Sequence, residues 1–236
     1  MDNTKTALSM EMLNKLPKDK KGLIFEMEMP KGKLGIRMLA PRTYINPQNL
    51  SRGLIKDDDF ITITNEAGQI ANKNNVFINC RTNLSVGEIR AECKKIKIQN
   101  GLDVIFVDHI GKVRPDNIKD SKNNQIGQIS EGLKNLAMDL DICVVVLSQL
   151  NRMVESRGDK HPVMSDLRDS GNVEQDADEI LMLYRDDYYA EREDRQSKNP
   201  GLLEVLVAKN RDGFAGKINL YYNTNYQVIS ETPIFH

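Results

Sequence analysis

Three carboxylates end or follow short apolar segments, where they could hold a metal ion and act on water. Asp108 comes directly after Val104–Val107, and Glu26 and Glu28 close the apolar run that starts at Gly22. A carboxylate at the carboxyl end of a buried parallel strand can hold Mg²⁺ through water, and a second one beside it can polarise an attacking water. An aspartate that only starts a turn has the same pattern, and strand parity does not choose between Glu26 and Glu28.

A polar amide follows another apolar segment in the same way. Ser148 and Gln149 come directly after Ile142–Leu147. A glutamine there can hydrogen-bond a γ-phosphate and report its loss to the following loop. Because parallel strands end at one edge of a sheet, these polar strand ends predict a crevice of the kind where open α/β sheets bind ligands.

Thr4-Lys5-Thr6 stands directly before a predicted helix from Ala7 to Leu16. It matches the last part of the phosphate-binding pattern G-x-x-x-x-G-K-[ST], in which the lysine reaches phosphates and the hydroxyl binds Mg²⁺. The match is incomplete, because Thr4 replaces the final glycine and the first glycine is absent. A lysine and a threonine near a chain start are common, so the pattern alone leaves this assignment open.

The elements that must position these residues are strands alternating with helices. Ser85 and Glu88 form a capping-box pattern that opens a helix ended by Gly101, and residues 129–140 have helical spacing. Such alternation indicates βαβ units around a mostly parallel sheet. The short apolar segments expected to be buried parallel strands are Gly22–Met27, Val76–Asn79, Val104–Val107 and Ile142–Leu147.

The last third of the chain has a different pattern. Leu202–Ala208 and Lys217–Tyr222 are predicted strands joined by a glycine-containing turn, which indicates a hairpin at an antiparallel edge of the sheet. Residues 150–178 and 185–200 are polar without periodicity, so we expect long loops there. The predicted fold class is therefore α/β, a mostly parallel sheet flanked by helices with a C-terminal antiparallel hairpin.

Composition is compatible with one large globular domain over the 236 residues. The net charge of −1 excludes a uniformly basic nucleic-acid binder but leaves room for local basic loops. The 3 cysteines form no C-x-x-C pair, which is typical of reduced thiols. The longest apolar run is too short to span a bilayer, so we expect a cytoplasmic protein without a membrane partner.

Longer motifs carry a resemblance to a known family. Leu147–Arg152, Pro162–Gly171 and Val173–Asp178 closely resemble successive signature motifs of the DnaB-type hexameric helicases. Further matches fall in the family's order and at about its spacings over essentially the whole chain, and the resemblance implies a RecA-like fold. These matches are Phe25–Met29, Val107-Asp108 and Ala208–Gly213.

The resemblance also implies roles for the candidate residues. It selects Glu28 over Glu26 as the catalytic glutamate and makes Asp108 the Walker B residue. Lys5 would contact phosphates, Thr6 and Asp108 would hold Mg²⁺, and Gln149 would couple the γ-phosphate to DNA-binding loops.

Two basic residues and one loop complete the implied machinery. Lys209 and Arg211 of a K-x-R hairpin would reach ATP bound to a neighbouring subunit, although hairpin charges are ordinarily just solvated. Arg168 would pair with a DNA phosphate and Gly171 would let backbone N–H groups approach it. Asp169, in the same loop, stands where the family has glutamate.

The implied function is an ATP-driven replicative DNA helicase motor that translocates on single-stranded DNA as a homo-oligomeric, hexameric ring. Its substrate would be ATP with Mg²⁺, and a primase or a helicase loader would be a further partner. By this resemblance, residues 1–236 would be the RecA-like helicase ATPase domain, without the family's N-terminal helical domain, its first strand and most of its phosphate loop. His109 replaces a family tyrosine, and we expect it to be neither catalytic nor a metal ligand.

The alternative to a helicase motor is a non-catalytic remnant that retains assembly or DNA binding, whereas a strand-exchange recombinase fits these motifs poorly.

Overall fold

The computed structural model describes residues 4–170 and 172–233, apart from the side chains of residues 152 and 168–170. The first half of this part contains α1 (Thr4–Asn14), β1 (Gly22–Glu26), α2 (Lys31–Thr43), α3 (Pro47–Arg52), α4 (Asp57–Lys73), β2 (Val76–Asn79), α5 (Val86–Asn100) and β3 (Val104–Asp108). The second half contains α6 (Lys122–Leu140), β4 (Cys143–Leu147), α7 (Val173–Asp176), β5 (Glu179–Tyr184), α8 (Asp186–Arg192), β6 (Leu202–Asn210), β7 (Gly216–Asn223) and β8 (Val228–Ser230). Short 3-10 helices cover Ile110–Lys112, Arg152–Ser156 and Met164–Ser170.

The four predicted apolar segments form one parallel sheet in the order β2-β1-β3-β4, which confirms the predicted fold class. Every residue of β1 and β3 is buried, as expected of central strands covered on both faces. In this register Glu26 lies opposite Asp108, and Asp108 lies opposite Leu147. The polar strand ends therefore meet at one edge of the sheet.

Two helical layers cover the sheet, and successive strand residues point to opposite layers. Phe25 of β1 packs in a core with Leu133 and Leu136 of α6. Its neighbour Ile24 packs in a second core with Leu13 of α1. The domain is therefore built as helices on both faces of a parallel sheet, and α1 is anchored by its own apolar residues.

The predicted hairpin is confirmed, because β6 and β7 pair antiparallel. It belongs to a separate four-stranded sheet, in the order β5-β6-β7-β8, rather than to an edge of the parallel sheet. Among the described strands β4 has only β3 as a partner, while β5 pairs with β6. Two strands were not predicted from the sequence: β5, which follows a polar segment, and the three-residue β8.

Two of the other expectations change. The helix predicted from Ala7 to Leu16 begins earlier, at Thr4, and ends at Asn14. The loop predicted over residues 185–200 is wrong in its first half, which forms α8. Residues 150–178 contain only short helical segments. Within residues 4–170 and 172–233, no helix has the length and apolarity needed to cross a membrane.

Candidate functional site

The first turn of α1 lies against the polar edge of the parallel sheet. Lys5 Nζ donates a hydrogen bond of 2.8 Å to the carbonyl oxygen of Ser148, directly after β4. Thr6 Oγ1 donates one of 2.7 Å to Asp108 Oδ2, at the end of β3. The backbone N–H groups at a helix start favour anions, so this position suits a phosphate group. Thr4 is buried beside them and accepts a hydrogen bond from Arg185.

Packing along α1 explains this placement. Met10 and Leu13 are buried against the parallel sheet, whereas Ala7 is buried with Leu203 and Val205 of the antiparallel sheet. Because its apolar residues are held by both sheets, the helix can present Lys5 and Thr6 only at the edge where the parallel strands end.

Glu26 is buried at that edge, with 1% of its surface exposed. Its Oε1 accepts hydrogen bonds from the backbone N–H groups of Glu28 and Met29, at 2.8 and 3.0 Å. Burial raises the pKa of Glu26, and the charge of Asp108 acts in the same direction, while the hydrogen bonds from Glu28 and Met29 oppose it. Glu26 belongs to the segment predicted as a buried strand, but the family resemblance selected Glu28 and gave Glu26 no role.

Glu28 lies just beyond the end of β1, and its side chain is 42% exposed. Its Oε1 is 3.1 Å from Lys112 Nζ and 3.3 Å from His109 Nε2. Partial burial raises the pKa of Glu28, but the hydrogen bond and charge of Lys112, together with His109, outweigh it and leave the pKa lowered. Glu28 is therefore ionised at neutral pH and able to accept a proton from water.

The His109 ring lies between the side chains of Glu28 and Gln149 and, in the tautomer described below, can donate only to Glu28. Its Nδ1 accepts a hydrogen bond from the backbone N–H of Gly111, so the neutral ring carries its hydrogen on Nε2. That nitrogen lies 3.3 Å from Glu28 Oε1 and 3.3 Å from Gln149 Nε2. Burial lowers the pKa of His109, although the charge of Glu28 acts against this. From the sequence we expected His109 to be neither catalytic nor a metal ligand. Its contacts with Glu28 and Gln149 arise because β1, β3 and β4 lie side by side in the sheet.

Four of the polar residues line a cavity of about 580 Å³, a size typical of small-molecule sites: Thr6, Glu26, Glu28 and Asp108. Three basic residues that were not predicted from the sequence also line this cavity. They are Lys33 and Arg37 of α2 and Arg52 of α3. The spacing of four between Lys33 and Arg37, which puts both on one helix face, was the available signal.

The oxygen donors here fit Mg²⁺. Thr6 and Asp108 supply a hydroxyl and a carboxylate in direct contact, and oxygen ligands are those that Mg²⁺ prefers. Within the described part of the chain, no group of three or more His, Cys, Asp or Glu side chains is arranged to hold a metal ion. Mg²⁺ usually keeps several waters and shares substrate phosphates, so two protein ligands suit it.

Lys209 and Arg211 do not reach this cavity. Lys209 Nζ donates to the carbonyl oxygens of Glu174 and Ala177, at 2.6 and 2.8 Å. Arg211 pairs with Asp178 at 2.9 Å. Both cations therefore lie against α7 and the residues that follow it.

The predicted DNA-contacting loop is only partly described. The backbone of Arg168 and Asp169 belongs to the 3-10 helix Met164–Ser170. Their side chains, and Gly171 as a whole, lie outside the described residues. The proposed contacts of this loop with DNA therefore stay predictions.

A parallel sheet between two helical layers, with a helix start facing the ends of β3 and β4, defines a RecA-like α/β domain. A comparison with models of protein families assigns the domain to one family within this class. The chain belongs to the DnaB-like helicase C-terminal domain family, whose model matches residues 3–231.

Relatives and solved structures agree with this assignment. The chain is 38% identical over 209 residues to the replicative DNA helicase DnaC of Bacillus subtilis, covering 88% of this chain and 45% of the relative. It is 38% identical over 204 residues to the replicative DNA helicase DnaB of Geobacillus stearothermophilus, covering 86% and 44%. The chain thus spans about half the length of these relatives.

Two solved structures have the same fold. One, an ATPase domain, is 34% identical with a TM-score of 0.91, over 98% of this chain and 81% of that one. A DnaB-like replicative helicase, solved in a study of its interactions with primase, is 35% identical with a TM-score of 0.89, over 96% and 56%. The likeness therefore extends over nearly the whole of this domain.

Proposed function

We propose that this domain is the motor of a replicative DNA helicase, which hydrolyses ATP with Mg²⁺ and moves along single-stranded DNA as a ring. The observation that carries the proposal is the contact of Thr6 with Asp108 in the cavity that Glu28 also lines. A hydroxyl and a carboxylate suited to one metal ion thus share this cavity with a carboxylate that can act as a general base.

Each residue at the polar edge then has a role. Lys5 binds phosphate oxygens, and Thr6 and Asp108 hold Mg²⁺, which when bound neutralises charge on the phosphates. Glu28 accepts the proton of the attacking water. Gln149 hydrogen-bonds the γ-phosphate and communicates its loss to the segment that follows β4.

Lys209 and Arg211 act on the nucleotide of a neighbouring subunit. Neither side chain reaches the cavity of its own domain, because both are bound to the region around α7. A cation supplied across an interface stabilises charge that develops on the transferred phosphate and makes hydrolysis depend on assembly. A hexameric ring, as in the family, provides such interfaces.

The remaining contacts concern DNA and partner proteins. Arg168, Asp169 and Gly171 line the channel of the ring and follow the DNA backbone without reading its sequence. A primase or a helicase loader is a further partner, consistent with the primase interaction reported for one structural neighbour.

Turnover and nucleotide binding test the proposal directly. We expect the chain to bind a fluorescent ATP analogue in the presence of Mg²⁺ and to hydrolyse ATP at protein concentrations that favour assembly, faster with single-stranded DNA. Binding of DNA without any nucleotide binding or turnover would instead support a non-catalytic remnant.

A further inference from the structure

Glu26 has one carboxylate oxygen satisfied and one unsatisfied. Oε1 accepts two backbone hydrogen bonds, from Glu28 and Met29. Oε2 is buried and has no hydrogen-bond partner among the described residues. The two bonds to Oε1 fix the direction of the carboxylate, so Oε2 is held in one place at the end of β1.

Such an oxygen is costly unless a ligand meets it. Leaving a buried polar group unpaired costs free energy, and the cost is larger for a charged group. Glu26 lines the same cavity as Thr6 and Asp108. It also lies opposite Asp108 in the β1–β3 register. A hydrogen-bond donor or a cation bound at this end of the cavity would satisfy Oε2.

We propose that Glu26 Oε2 accepts a hydrogen bond from a water molecule in the hydration shell of the Mg²⁺ that enters with the nucleotide. The inference rests on the proposed function and adds a carboxylate to its metal site. Mg²⁺ keeps several of its waters, which are strong donors to a carboxylate. Outer-shell partners of this kind orient the ligands and raise metal affinity.

The same carboxylate has a second, opposite effect. Without a divalent cation, the negative charge of Glu26 next to Asp108 disfavours nucleotide phosphates. With the cation, that charge stabilises the complex. Glu26 thus makes nucleotide binding depend on Mg²⁺, a dependence that a purely structural residue would not produce.

Magnesium titrations of nucleotide binding by the full chain test this role. The probe is a fluorescent ADP analogue, and wild type is compared with Glu26→Gln, whose amide oxygen can still accept the Glu28 and Met29 bonds. We expect the half-saturating Mg²⁺ concentration to rise about tenfold to a hundredfold, the range found on removing outer-shell partners. Binding without Mg²⁺ should be unchanged or tighter.

Two further variants separate charge from folding. Glu26→Asp retains the charge, so its Mg²⁺ requirement should lie between those of wild type and Glu26→Gln. Glu204→Gln alters a buried carboxylate of the antiparallel sheet that pairs with His161 and Lys217, and it should keep the wild-type requirement. Unfolding midpoints are measured for all variants, and the titrations are run well below the lowest midpoint.

Each outcome bears on one of the two proposals. If wild type binds the nucleotide with Mg²⁺ and Glu26→Gln has the same Mg²⁺ requirement, the role of Glu26 is overturned and the proposed function stands. Equal losses in Glu26→Gln and Glu26→Asp, with or without Mg²⁺, also overturn it. If wild type binds no nucleotide at all, the proposed function fails and the inference fails with it.

Discussion

Thr6 Oγ1 donates a hydrogen bond of 2.7 Å to Asp108 Oδ2, joining residues 102 positions apart in the chain. One lies in the first turn of α1 and the other ends β3. The family resemblance assigns both groups to one Mg²⁺. Their hydrogen bond shows that they lie close enough together to share it. The packing of α1 on the sheet therefore brings together the two residues of the proposed metal site.

Glu28→Gln is expected to abolish ATP hydrolysis and to leave nucleotide affinity within a few-fold of wild type. The change removes a general base and little binding energy. Steady-state turnover and fluorescent-nucleotide binding measure the two effects separately. The matched control is Glu191→Gln, which alters an exposed glutamate of α8 outside the cavity. Persistent turnover in Glu28→Gln would exclude Glu28 as the base.

Chains carrying Arg211→Ala are expected to complement chains carrying Glu28→Gln. Mixed rings contain interfaces that join an intact Glu28 of one chain to an intact Arg211 of its neighbour. An arginine that reaches the phosphates of a bound nucleotide contributes roughly 10³–10⁵ to the hydrolysis rate in related systems. Its ion pair with Asp178 is about half exposed, and exposed pairs contribute only about 0–1 kcal/mol, so the substitution should not unfold the domain.

The mixing experiment measures ATPase activity against the ratio of the two mutant chains. Subunit exchange is first shown by fluorescence transfer between labelled chains. If mixed rings form and activity stays at the level of the separate mutants, Arg211 is not a simple trans-acting finger. A titration of wild-type into mutant chains then tells whether several intact sites must act together.

Arg168→Ala is expected to weaken binding of single-stranded DNA equally for all sequences. Losing one phosphate contact should reduce the log–log salt slope by about 0.7. Fluorescence anisotropy over a range of salt concentrations measures this slope. Lys95→Ala, an exposed cation of α5, is the control and should leave the slope unchanged. Normal DNA binding by Arg168→Ala at every salt concentration would remove the residue from the channel.

Asp186→Asn is expected to lower the free energy of unfolding at neutral pH. It should also make that free energy fall less steeply as the pH is lowered into the acid range. The hydrogen bonds of Arg195, followed by the backbone N–H of Lys198, hold the pKa of the buried Asp186 well below its usual range. A depressed folded-state pKa gives stability that is fully present above the unfolded value, about 3.9, and is lost as the pH falls below it.

The expected loss at neutral pH is about 2–4 kcal/mol, between the values for exposed and buried ion pairs. Urea unfolding at several pH values measures it. Asp194→Asn is the control because this exposed residue has φ 50°, a conformation that asparagine tolerates equally well. Parallel pH profiles for wild type and Asp186→Asn would show that Asp186 contributes nothing to acid lability.

The parallel sheet could be predicted from the sequence because its central strands are buried on both faces. Such strands are apolar up to their polar last residues, as Ile24 and Phe106 illustrate. The strand β5 was missed since its residues alternate in burial only over Glu179–Met182, after a polar segment. Helix α8 was missed because it is short and is held mainly by the polar contacts of Asp186.

Only the parts of the site that depend on a single strand end could be predicted from the sequence. Asp108 and Gln149 each follow an apolar run, so their place at the sheet edge follows from the sequence. The contacts of His109 with Glu28 and Gln149 depend on how β1, β3 and β4 are ordered side by side. No local pattern in the sequence encodes that order.

Helix α1 has a mechanical consequence that follows from its two sets of contacts. Leu13 fixes it to the parallel sheet, and Ala7 fixes it to the strand β6, which ends near Lys209. Close-packed interiors have low compressibility and transmit displacement instead of absorbing it. We therefore expect a displacement of the first turn of α1 to be passed through Ala7 to β6, the strand that carries Lys209.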